Sequence, residues 1–259
     1  MIQIVGGNIK VTNDVPEMLS AAGSVSLSSI NFAIWSHLHP EVPDYTGYLA
    51  LFSINTTLAV GPGFKSRLVT YPGKPAGPNT ETLHEALAGR ELIELDFKSA
   101  SHLKVAGLRA IHRFDDSSFY LFEAFGHAPE HILALARTYA DKFVLLAEDG
   151  AHHCGKFRPS PLVPLPDTIS PSPFKHPTSV SSCSCSLFQP IHPNPESFHT
   201  TPFYEVAARH SEDPVAKRAT LETLRVFDMA QTCSLFSRTT RAYLTCSSFS
   251  IRQTWRGGR

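Results

Sequence analysis

The sequence predicts a layered α/β (α+β) domain, with a β-rich core and a few helices outside it. Three observations carry that prediction. Short apolar runs recur along the chain, and each is closed abruptly by a polar or glycine-containing turn. Apolar residues at helical spacing stand out in only two segments, residues 14–25 and 212–230. Of the 259 residues, 42% are apolar, which is enough for a buried core, and 18% are charged.

Each element follows in order. Val15, Met18, Leu19 and Ala22 fall on one helical face, with Asn13 or Asp14 placed to cap and Gly23 to stop the helix. Ile30 to Trp35 is a buried strand ending in Ser36-His37-Leu38-His39-Pro40, and Leu58 to Val60 is a second, closed by Gly61-Pro62-Gly63. A loop rich in proline and glycine occupies residues 71–79. Glu91 to Phe97, Leu108 to Phe114 and Ser118 to Glu123 alternate as strands of a meander, and Ala128 to Tyr139 is partly strand. Phe143 to Ala147 is a continuous apolar strand before Glu148-Asp149-Gly150. Residues 159–197 are rich in proline and serine and predict an extended loop. Residues 212–230 return to helix, with Ser211 to cap and Pro214 in the first turn. The domain therefore spans 1–230, and 231–259 is a poorly specified tail without acidic residues or a clear period.

Composition excludes several partners. Lysine plus arginine and aspartate plus glutamate number 23 each, so no field of one sign draws the chain to nucleic acid or an anionic membrane. No basic segment followed by a long apolar stretch opens the chain, and no apolar run approaches 20 residues. The five cysteines match neither a disulfide framework nor a zinc-ribbon spacing, which predicts reduced thiols in a cytoplasmic protein. Nothing in the sequence specifies an oligomeric state.

Three polar clusters follow buried strands. His37-x-His39 leaves the first; two histidines one residue apart can both turn an imidazole toward one metal ion. The alternative is a pair of polar caps on a strand-end turn. Gly126-His127 follows the strand ending at Glu123, and the glycine allows a tight approach of the backbone. Glu148-Asp149 and His152-His153 follow the continuous apolar strand. One such cluster is ordinary, whereas three at strand ends predict loops converging on one edge.

In this order, strand-His-x-His, Gly-His and strand-Asp, the chain resembles the metallo-β-lactamase superfamily, and within it a group of fungal-type hydrolase-like members. The likeness rests on Ala33-Ile34-Trp35-Ser36-His37, Val60-Gly61-Pro62-Gly63-Phe64-Lys65, Gly89-Arg90-Glu91-Leu92 and Ser118-Phe119-Tyr120-Leu121. It continues through Gly126-His127-Ala128, Leu135-Ala136-Arg137-Thr138, the run from His152 to Ser160, Pro164 to Pro173, and Thr200 to Tyr204, and covers about residues 12–230. The resemblance implies an αββα sandwich with the site at one edge of two facing sheets. It implies that His37, His39 and His127 hold a first zinc and that Asp149 bridges two metals. It also implies a metal-activated water that attacks a small acyl substrate, an ester, thioester or lactone.

The sequence departs from the superfamily's His-x-His-x-Asp-His pattern. After His39 it reads Pro40-Glu41-Val42-Pro43-Asp44-Tyr45-Thr46-Gly47, so the aspartate role falls to Asp44 by register or to Glu41 by spacing. Tyr45 stands at the histidine position and is a poor ligand near neutral pH. No histidine follows His210, although relatives carry one near the C-terminus. Against the superfamily pattern, the expectation is a sandwich that lacks the opening strands of its first sheet and is incomplete. The expectation is one tightly bound Zn2+ on three histidines, with an open fourth position. The second site, reduced to Asp149 and Asp44, binds weakly. His152 is a substitute ligand, a proton shuttle or a loop histidine bonded to backbone; His131 is structural. The alternative to a hydrolase is a non-catalytic, degenerate member that has lost the second metal site.

Overall fold

The protein is described by a computed structural model over residues 2–4, 7–9, 15–38, 49–70, 87–99, 103–170, 182–230 and 232–237. His39, Glu41, Asp44, Tyr45, the loop 71–79 and the tail beyond 237 lie outside the described residues. The fold is mixed α/β, and the chain divides into two compact units, Met1–Asp96 and Phe97–Arg259.

The first unit opens with a short antiparallel pair, β1 (Ile2–Ile4) and β2 (Gly7–Ile9). Helix α1 (Val15–Ala22) ends at Gly23, whose φ of +65° lets its N–H reach back to the Leu19 and Ser20 carbonyls. The apolar face read from the sequence is not a core face here: Val15 and Met18 are 55% and 60% exposed. A parallel sheet follows, in the order β3 (Phe32–Ile34), β4 (Thr57–Val60) and β5 (Leu92–Glu94). All three strands point the same way, so His37 leaves the carboxyl edge of that sheet, where open parallel sheets present their functional loops.

Helix α2 (Phe64–Thr70) starts directly after Gly61-Pro62-Gly63, a stop in the sequence that is also a helix start. Leu38, Leu49, Leu58, Val60 and Phe64 form the buried cluster of this unit, with Trp35 tilted against Phe64 at 6.1 Å. Buried Arg90 ties the segment before β4 in place, donating from Nη1 to the Ser53 and Thr56 carbonyls and from Nη2 to those of Leu49 and Phe52. Four carbonyls round one guanidinium replace the water that burial removes.

The second unit is built on a six-stranded sheet. Its strands are β6 (Lys104–Val105), β7 (Leu108–His112), β8 (Phe119–Glu123), β9 (Ile132–Tyr139), β10 (Lys142–Glu148) and, later in the chain, β13 (Cys233–Ser237). From β6 to β10 the strands form an antiparallel meander, and β13 adds to β10 in parallel. Of the three segments expected to make a meander, Leu108–Phe114 and Ser118–Glu123 supply β7 and β8, whereas Glu91–Phe97 supplies β5, which pairs in parallel with β4 instead. β13 lies within the segment read as an unspecified tail; Cys233 and Leu235 alternate inward and are buried. The proline- and serine-rich stretch carries a two-residue bridge between β11 (Thr168–Ile169) and β12 (Cys183–Ser184), followed by a 3-10 turn over Cys185–Ile191.

Helix α3 (Pro214–Met229) closes this core. Its N-cap is Asp213, not Ser211: the Asp213 carboxylate accepts from the Val215 and Ala216 N–H groups, and Pro214 takes the first helical position. Leu221, Leu224 and Phe227 face the sheet, with Phe227 edge-on to Phe122 at 5.7 Å. At the far end of the helix, buried Asp228 is clasped by Arg158, whose Nε lies 2.5 Å from Oδ2 and whose Nη2 donates to Oδ1.

Candidate metal centre

β8 and β10 flank the antiparallel β9, so both run in one direction and end at the same edge of the sheet. His127 follows β8 and Asp149 follows β10. Topology alone thus brings two of the residues singled out in the sequence to one edge, two strands apart.

Local backbone then aims them. Gly126 has φ +122°, and a Cβ there would lie 2.2 Å from Lys217 N and 2.4 Å from its Cα. Only glycine lets the β8–β9 loop lie against the first turn of α3. The loop is held there by Asp213 N–H on the Gly126 carbonyl (3.0 Å), Glu212 N–H on His127 O (3.3 Å) and Thr220 Oγ1 on Phe125 O (2.9 Å). On the other strand, the β10–β13 register shifts between Leu146 and Glu148, and Glu148 takes φ +39°. Such a bulge with a left-handed residue re-aims the side chain that follows it, which is Asp149.

The Asp149 carboxylate lies between two imidazoles. His127 Nε2 is 3.4 Å from Oδ2 and His152 Nε2 is 3.7 Å from Oδ1, with the His127 and His152 rings edge-on at 4.8 Å. His127 and Asp149 are buried, and His152 is half-buried. Ligand atoms about 2.0–2.2 Å from one ion in tetrahedral geometry lie roughly 3.3–3.6 Å apart. The His127–Asp149 separation falls in that interval, and one imidazole with one carboxylate is a donor set that first-row divalent metals accept. The residues present therefore fit a metal ion.

Two lysines that the sequence reading passed over border this carboxylate. Lys217, fully buried, donates from Nζ to the Asp149 carbonyl. Burial pushes its ammonium down to about 7, with Asp149 opposing and Lys156 reinforcing the shift. Lys156 is also buried; burial lowers its ionisation as well, and Asp149 opposes that. A lysine on an amphipathic helix ordinarily reads as solvent-facing, and nothing local in residues 212–230 distinguishes Lys217.

The remaining residues fall as follows. His37 is half-buried after β3, with its Nδ1 3.0 Å from Ser36 Oγ, while His39 and Asp44 lie outside the described residues. His131 is fully buried; its Nδ1 bonds the Ala124 carbonyl, and Ala124 N–H bonds His131 O, closing the loop that carries His127. His153 turns away to cap the 3-10 turn Cys154–Lys156, accepting from Gly155 N–H at 2.9 Å.

No protein-family model matches the chain. Its sequence is 42% identical over 221 residues to Gamma-lactamase MBL2 of Gibberella moniliformis (strain M3125 / FGSC 7600), covering 83% of this chain and 87% of that protein. It is 40% identical over 219 residues to Gamma-lactamase FDB1 of Fusarium pseudograminearum (strain CS3096), covering 82% of this chain and 50% of that protein. Metallo-hydrolase mfmC of Annulohypoxylon moriforme is 34% identical over 240 residues, covering 90% of this chain and 60% of that protein. The chain thus spans most of the first relative but half to three-fifths of the other two.

Proposed function

Because the chain belongs to the metallo-β-lactamase superfamily, we propose that it is a metal-dependent hydrolase of small acyl substrates, with zinc as its metal. The bond is that of an ester, thioester or lactone, and the names of two relatives add the cyclic amide. The observation that carries this reading is the buried His127 imidazole set 3.4 Å from the Asp149 carboxylate, with His152 3.7 Å from its other oxygen.

His127 and Asp149 supply two ligands. The His-x-His of the sequence supplies His37 and His39, and Asp44 takes the aspartate position of the superfamily pattern; ligand order along the chain supports these three assignments. When bound, the ion provides an acidified water and an electrophile for the acyl carbonyl.

The chain's own residues do the rest. The loop clamp at Gly126 fixes the direction of the His127 ring, and the turn at Glu148 fixes Asp149. Lys156, and Lys217 when it is protonated below about pH 7, offset the negative charge of the buried carboxylate. His152, half-buried with its Nε2 3.7 Å from Asp149 Oδ1, accepts a proton at Nε2 and passes it outward. No helix among the described residues is long and apolar enough to cross a membrane.

The test is metal analysis coupled to turnover. Purified protein should hold about one zinc per chain and hydrolyse p-nitrophenyl acetate or a γ-lactam in a chelator-sensitive way, and His127→Ala should lose both properties. Well under one metal per chain, unaltered by His127→Ala, would sink the reading.

A further inference from the structure

We propose that Lys217 is a positioning residue for the candidate metal centre: it brackets the two loops that carry His127 and Asp149 and so sets their separation. The assignment rests on the metal-dependent reading of that centre.

Two contacts of one residue carry it. The His127 loop lies on the backbone of Lys217, since a Cβ at Gly126 would meet Lys217 N and Cα at 2.2 and 2.4 Å. The side chain leaves the helix for the other loop, where Nζ donates to the Asp149 carbonyl. His127 and Asp149 follow strands that are not neighbours in the sheet, because β9 lies between β8 and β10. The first turn of α3 touches both loops, and Lys217 does so with two different parts of one residue.

The residue type argues that the side chain is there for this contact. Lys217, Leu221 and Leu224 follow at helical spacing along one stripe of α3, and all three are buried. A buried ammonium loses its hydration, and an apolar side chain of similar volume in such a place is ordinarily neutral or stabilising. Packing alone therefore asks for methionine or leucine at position 217. What lysine adds is a donor at the end of a long stem, which crosses from the helix to the turn after β10.

The Asp149 turn uses that donor. Gly150 N–H returns to the Ala147 carbonyl at 2.7 Å, and a Cβ at Gly150 would lie 2.6 Å from the same oxygen. The turn closes on itself through Ala147, and the carbonyl of buried Asp149 takes its hydrogen bond from α3 instead. Fixing that carbonyl fixes the backbone that bears the carboxylate, whose Oδ2 stands 3.4 Å from His127 Nε2. Groups that orient a ligand without touching the ion ordinarily matter about 10–100-fold to metal affinity.

The experiment compares Lys217→Met with Thr223→Val in the full chain. Thr223 is buried further along α3 and donates to the Ala106 carbonyl, so its loss weakens the seating of the helix and leaves both arms of the bracket in place. In the metal-free chain, amide hydrogen exchange at Gly150 should quicken about tenfold or more in Lys217→Met. Exchange at Glu212 and Asp213, whose N–H groups hold the His127 loop, should stay within about twofold. Titrated Co2+ should bind Lys217→Met about tenfold or more weakly, with an altered visible absorption spectrum. Thr223→Val should keep the parent spectrum and an affinity within about twofold. Lys217→Gln, whose amide falls one atom short of the carbonyl, should behave as Lys217→Met and serves if that variant does not fold. Unchanged Gly150 exchange in a folded Lys217 variant overturns the bracket, as does equal quickening at all three amides. Parent-like Co2+ affinity and spectrum in that variant overturn it too. Quickened exchange at Gly150 alone, in a chain whose unmodified form binds no Co2+, upholds Lys217 as the residue that holds the Asp149 turn and removes the metal reading.

Discussion

Replacing Gly126 with alanine tests how the candidate metal centre is built, because the substitution adds one methyl group and removes no ligand. The new Cβ would lie 2.2 Å from Lys217 N, 2.4 Å from Lys217 Cα and 2.8 Å from Ala216 C. All three are backbone atoms of the first turn of α3, so rotation of a side chain cannot relieve the clash. Either the loop or the helix start must move by about 1 Å or more to restore ordinary contact. The positive φ itself costs a non-glycine residue about 1–3 kcal/mol. The displacement also strains the hydrogen bonds at Gly126 O, His127 O and Phe125 O, each worth about 1 kcal/mol net. A loss of about 3–5 kcal/mol follows, a large share of the stability of an ordinary domain. Urea unfolding of the metal-free variant measures it, and a competitive metal titration reads the consequence for His127. An unfolding free energy within about 1 kcal/mol of the parent, with unaltered metal affinity, would refute the idea that α3 clamps the His127 loop through Gly126.

Three further outcomes follow from the same geometry. Arg90→Lys keeps the charge but cannot reach four carbonyls at once, and should lower stability by about 2–3 kcal/mol, read by thermal unfolding. Asp228→Ala should cost about 2–3 kcal/mol, less than a fully buried pair because the Arg158 side chain is 26% exposed; a double-mutant cycle with Arg158→Ala isolates the coupling. Lys217 has its pKa lowered from 10.5 to about 7 on folding, so between those values the unfolded chain binds the extra proton and stability rises with pH. Metal-free protein should gain about 2 kcal/mol between pH 7 and 9, and Lys217→Met should flatten that slope in urea titrations at each pH.

Much of the second unit was legible because its signals are local. The period-2 alternation of residues 108–114 and 118–123 marks two neighbouring strands, the apolar run 143–147 marks a third, and a polar cluster after such a run marks a strand end; this is why His127 and Asp149 stand out in the sequence. What escaped depends on contacts between distant segments. Lys217 is buried because Gly126 admits the helix backbone, a proximity of residues far apart in the chain. Ser211 and Asp213 are both good caps, and Pro214 decides between them by occupying the first helical position. Val15 and Met18 have the spacing of a core face yet are exposed, since periodicity states that a face is apolar and not what covers it. The serine-rich composition around β13 masked a strand only five residues long.

That strand has a bearing on how the chain is made. Synthesis delivers β6 through β10 as one run of neighbouring hairpins, which can zip together as they emerge. The strand that covers β10 comes later in the order of synthesis, since Lys142–Glu148 precede Cys233–Ser237 by the whole of the intervening loop and α3. Until those residues leave the ribosome, the outer side of Phe143–Leu146 is an unprotected template for pairing with another nascent chain. The strand beside the Asp149 turn is thus the last to be sealed, and the yield of native protein should depend on how quickly translation passes residue 237.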